Sequence, residues 1–87
     1  MKVFITKYAL TKGIQEEQAK RSAQSPTTMI EVNPTPENGY DFTEYFHGEG
    51  EEWHLTRKSA SATAEKMRRS KINSLQKEIE KMEELNF

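Results

Sequence analysis

Eighty-seven residues, 33 % hydrophobic and 31 % charged, describe one small domain with a modest core. The chain has no cysteine, which excludes a disulfide framework, a thiolate metal site and a thiol nucleophile. Its 13 basic and 14 acidic residues leave a net charge of -1, so the chain as a whole lacks the positive field that phosphate binding draws on.

Val3 to Leu10 is rich in β-branched and aromatic residues and predicts a first strand. Thr11-Lys12-Gly13 is a turn signal, with Gly13 free to take a positive φ. Ile14 to Lys20 has helical composition but is too short for an isolated helix; a strand paired with the first is the reading adopted. Ser22 to Pro26 is loop, and Thr28 to Val32 predicts a second clear strand. Pro34 and Pro36 then bar regular pairing, and Asn38-Gly39 is a hairpin-type turn pair. Tyr40 to Phe46 alternates as a strand with one buried face, Tyr40, Phe42 and Phe46 inward, Asp41, Thr43 and Tyr45 outward. Glu44 breaks the inward pattern. His47 to Gly50 forms the next turn, and Glu52 to Leu55 the last strand, with Trp53 and Leu55 on one face.

Thr56 suits a helix N-cap, and Arg57 to Glu84 contains neither proline nor glycine. The resulting helix would run about 40 Å, longer than the sheet is wide. Ala60, Ala64, Met67, Ile72, Leu75, Ile79, Met82 and Leu85 fall on one face. The first half of that face is small and suits close approach to a sheet; the second half is large. From Ile72 the spacing is that of a coiled-coil seam, which fails upstream at Arg68. Charge is also divided along the helix. Arg57 to Lys77 holds seven basic residues against Glu65 alone, whereas Glu78 to the end holds four acids and one lysine.

Three phrases, KVFITKYALTKGI, YFHGEGEEWHLTR and AEKMRRSKINSLQKEIEKMEELNF, resemble those of small uncharacterised proteins of Bacteroides-type bacteria and their phages or other mobile elements. The likeness spans both ends and the middle and carries no chemical motif. It implies a setting, an accessory protein of a mobile element, and no assigned activity. It also implies an acid near Ser59, completing a capping box after Thr56, where this chain has serine.

No constellation predicts catalysis. Ser59, Ser61, Ser70 and Ser74 lie along the helix without a nearby histidine as base, and Glu44, the one acid on an apolar strand face, is expected at a sheet edge or paired with a cation such as Arg68. His47 and His54 flank Glu49, Glu51 and Glu52, but their seven-residue spacing matches no established ligand pattern, so neither metal nor other cofactor is expected. No run is apolar enough to span a membrane, and Met1 to Ile5 is too short for a secretory signal; a cytoplasmic location is expected.

The expectation is therefore an α+β chain forming one domain over residues 1–87: a curled antiparallel sheet of four to five strands, a partly open barrel, over 1–55, and one long helix over 56–87. Its expected function is non-catalytic binding of another protein, or of itself as a homodimer, through Ile72, Leu75, Ile79, Met82 and Leu85. The alternative is a small barrel binding nucleic acid through Arg57, Lys66, Arg69 and Lys77, with Tyr8 and Tyr45 as stacking platforms.

Overall fold

A computed structural model describes residues 1–32 and 43–87. It has five antiparallel strands in the order β4-β3-β2-β1-β5 and one long C-terminal helix. The predicted turn at Asn38-Gly39 and the inward positions Tyr40 and Phe42 lie outside the described residues.

Strand β1 (Lys2–Ile5) lies between β2 (Gln15–Arg21) and β5 (Trp53–His54). It stops five residues short of the predicted end. The amides of Thr6 and Lys7 both donate to the Glu52 carbonyl, at 2.9 and 3.3 Å, and the Thr6 hydroxyl donates to the Glu51 carbonyl at 2.6 Å. These bonds pull the chain out of the ladder. The next residues, good helix formers, make a single turn, α1 (Ala9–Lys12), closed by Gly13 at φ 73°.

Strand β2 overrides its helical composition because both of its edges are paired. Lys2 lies opposite Gln18 and Ile5 opposite Gln15, while Ala19 to Arg21 pair with β3 (Met29–Val32). Cross-strand ion pairs flank the strand, Lys2 with Glu16 at 2.8 Å and Lys20 with Glu31 at 3.5 Å. Tertiary pairing decides where local preference is weak. Strand β4 (Glu44–His47) completes that side, Ile30 opposite Phe46.

Curling of the sheet follows from connectivity. Strands β4 and β5 are its two outer members, yet only residues 48–52 join them. Five flat strands would hold those edges about 19 Å apart. The link is instead a tight turn, with Glu51 and Glu52 amides donating to the Gly48 carbonyl at 3.0 and 3.1 Å. Trp53 bridges the gap that remains: its indole Nε1 donates to the Thr28 carbonyl, 3.0 Å away, just before β3. The enclosed core is Val3, Ile5, Ala19, Ile30, Val32, Phe46 and Trp53, with Tyr8 at its rim. Leu55 does not share the face of Trp53 as expected: it is 43 % exposed, because the strand ends at His54 and the chain turns towards the helix.

Gly48 sits where the backbone favours glycine. Its φ is 88°, and a Cβ there would also displace the Glu51 side chain, whose Cβ would stand 3.2 Å away. Gly48→Ala should destabilise the domain by about 1–3 kcal/mol, measured by urea unfolding. An unchanged midpoint would show that the turn can adopt another backbone.

Helix α2 (Arg57–Glu83) starts where its cap predicts: Thr56 is extended, and its hydroxyl accepts from the Ser59 amide at 3.2 Å. It lies against α1, β1 and β5. Ala60 is fully buried, and Thr63, Ala64, Glu65 and Met67 are half-buried. Every residue from Arg68 onward is exposed. The helix therefore leaves the body about midway, giving extents of 55 × 31 × 22 Å. No helix among the described residues is long and apolar enough to cross a membrane.

Candidate protein-docking site

The apolar strip begins where the packed half of α2 ends. Ser61, Ala64, Glu65 and Arg68 face α1 across a shallow hollow that Ala9, Leu10 and Ile14 complete. On a helix of 3.6 residues per turn, the same face continues as Ile72, Leu75, Ile79 and Met82. These four are 46, 43, 56 and 67 % exposed, Leu85 is 51 % exposed, and terminal Phe87 is fully open to solvent. Leu85 and Phe87 lie beyond the last helical turn, so they extend the strip as chain rather than as helix. Arg68, where the seam fails, marks the boundary. Its guanidinium bonds the Glu65 carboxylate at 2.6 Å, and Arg69 reaches the same carboxylate at 3.5 Å.

The four basic residues of the alternative reading are not gathered onto one face. Lys66 and Lys77 point away from the strip and Arg69 stands at its edge, whereas Arg57 begins the helix on the strip's own side, about 30 Å from Lys77. Tyr45 is 46 % exposed on β4, but Tyr8 is turned into the rim, edge-on to Phe46 at 6.2 Å between centroids. Lys7 and Lys12 lie over the Tyr8 ring, at 5.6 and 5.0 Å.

Glu44 does lie on an edge strand, but its partner is Tyr8 rather than Arg68. The phenol donates to Glu44 Oε1 at 2.7 Å, and that carboxylate raises the phenol's pKa.

The two histidines have separate environments. His47 is exposed on β4, while His54 is fully buried beneath α2. The Thr6 hydroxyl spends its proton on Glu51, so it accepts from His54 Nε2, 3.1 Å away. Nδ1 is then the acceptor for the Ser59 hydroxyl at 2.7 Å. Both ring nitrogens are engaged, which leaves none for a metal, and no group of three possible ligands occurs among the described residues.

The Ser59–His54 contact corrects the expectation that no helix serine has a histidine nearby. Five residues separate them, and the corner at Thr56 folds the first helical turn back over β5. A serine on an imidazole nitrogen is half of a nucleophilic dyad. Here the ring is buried, and its far nitrogen faces a threonine hydroxyl instead of a carboxylate, so an imidazolium would have no counter-charge there. The physical effect of the chain Glu51–Thr6–His54–Ser59 is to pin α2 to β1 and β5.

Burial pushes the His54 pKa below its ordinary 6.5, outweighing the opposing effects of the Glu51 backbone and the Glu49 charge. Well above pH 6.5 the ring is neutral in folded and unfolded chains alike, and its contribution is complete. Below that pH the unfolded chain takes a proton that the folded one resists, so stability falls with pH. A His54→Gln variant should melt lower than wild type at neutral pH, with the gap narrowing steadily as pH drops below 6.5. A gap that widens on acidification would reverse the sign and remove His54 as a neutral core group.

The chain matches no family model, no curated protein and no solved structure. Its own surface carries the functional reading.

Proposed function

We propose that the protein is a non-catalytic interaction module that docks onto protein through the strip Ile72, Leu75, Ile79, Met82 and Leu85. The observation carrying this reading is the exposure of all five, four on a helix that has left its body and Leu85 just past its end. Contiguous apolar surface of this kind is seldom left bare in water. Covering about 500 Å² of it per chain is worth on the order of 12 kcal/mol gross. That is comparable to the roughly 4–15 kcal/mol that association costs, so a specific partner surface is needed to tip the balance. The setting in a mobile element rests on the sequence resemblance alone.

The test is photo-crosslinking in the native cell from a reactive residue placed at Leu75 or Ile79, with Ser70 and Lys77 on the opposite face as comparison. Protein adducts at the first pair and none at the second are expected. Equal yields from both faces, or none from either, would remove the strip as a docking surface. Adducts formed by apolar burial persist as salt rises; nucleic-acid contacts through Arg57, Lys66, Arg69 and Lys77 would weaken steeply.

A further inference from the structure

We infer that the strip binds a second copy of this chain, the two α2 helices running antiparallel about a two-fold axis that crosses the strip at the height of Lys77. This rests on the docking role proposed for the strip and names its occupant.

The strip is nearly symmetric about Lys77. Reversing one helix against another sets Ile72 opposite Met82 and Leu75 opposite Ile79, and the same contacts recur on the other side of the axis. Residues 71–83 then overlap, about 20 Å of helix. That stretch lies wholly beyond Met67, the last half-buried residue, so the two sheets sit at opposite ends and stay clear of each other.

Charge selects this direction. The strip half nearer the body is basic and the far half acidic. Among the described residues, Lys71, Glu78 and Glu83, which border the strip, make no ion pair within the chain. Antiparallel helices lay the basic half of each along the acidic half of the other. Flanking the seam, Arg69 of each copy meets Glu83 of the other, and Arg69 is held at home only by a 3.5 Å contact to Glu65. A parallel pair would instead place Glu78 beside Glu83 twice and Arg68 against its own copy. The antiparallel pair has one like-charge contact, Glu78 with its counterpart at the axis.

The register also accounts for the tail. Past the helix end, Leu85 and Phe87 of one copy lead towards the hollow of the other, where Arg68 faces Leu10, itself 48 % exposed. Apolar residues that have no cover in the single chain are brought to one place.

Sedimentation of the full-length protein tests the inference. Wild type should be dimeric at about 100 µM, far above a micromolar dissociation constant. Arg69→Glu and Glu83→Arg should each raise the dissociation constant about ten-fold at low salt, and the double swap should restore it to within about three-fold. A monomer, or a double swap no better than either single change, would overturn the inference. Trp53 near-ultraviolet dichroism reports whether each variant keeps its sheet. A monomer that still gives strip adducts with another protein would refute the second copy and leave the docking role standing. A monomer with no adducts would refute both.

Discussion

Replacing Trp53 by alanine should cost about 3–5 kcal/mol, most or all of the stability a domain this small possesses. Trp53 is fully buried, and it belongs to β5 while its indole bonds the Thr28 carbonyl on the far side of the curl. Its ring also carries the Arg21 guanidinium at 5.8 Å and lies opposite Ile5 in the ladder. Truncation opens a cavity where the two edges of the sheet meet and leaves a carbonyl without its donor. Urea unfolding followed by far-ultraviolet dichroism checks this. Trp53→Phe, which keeps most of the packing and loses the bond, should cost about 1–3 kcal/mol. If the alanine variant unfolded at the wild-type midpoint, the curl would have to be held by something other than that ring.

The second large effect falls on binding and spares the fold. Leu75→Glu with Ile79→Glu should weaken docking at least a hundred-fold, since each change puts a carboxylate into an interface that buries apolar surface. The same pair should move the unfolding midpoint very little. Both side chains are about half exposed and lie in the unsupported half of α2, and glutamate is a good helix former. Thermal unfolding and sedimentation of one sample give both readings. Loss of stability in step with loss of binding would mean that the strip packs on its own body.

Legibility in the sequence varied with how local each cause was. Thr56 ahead of an unbroken run without proline or glycine fixed the start of α2, because capping needs only neighbours. Gly13 and the glycines at 48 and 50 marked turns for the same reason. The length of α2 against a small sheet left open whether its second half overhangs or folds back across the strands, and the exposure of every residue from Arg68 onward decides for the overhang. What stayed hidden depended on distant partners. Tyr8 to Leu10 looks like strand until Glu52 and Glu51 draw Thr6 and Lys7 aside. Leu55 has the alternation of a core residue, but the helix corner takes the backbone out of the sheet one position earlier. The Ser59–His54 pair had a usable signal: a histidine just ahead of an N-cap and a serine at the third helical position, where the resemblance implied an acid. With the acid of a capping box replaced by a hydroxyl, the first turn can bond inward to the sheet.

Amide hydrogen exchange on the full-length chain tests the central claim most directly. At dilutions where no partner is bound, amides between Ile72 and Glu83 should exchange far faster than those of β1, β2 and the Ala60–Met67 turn, and slow down once the strip is covered. Protection of Ile72–Glu83 equal to the sheet in the isolated monomer would show that half of α2 to be held by its own body, with no surface left to dock.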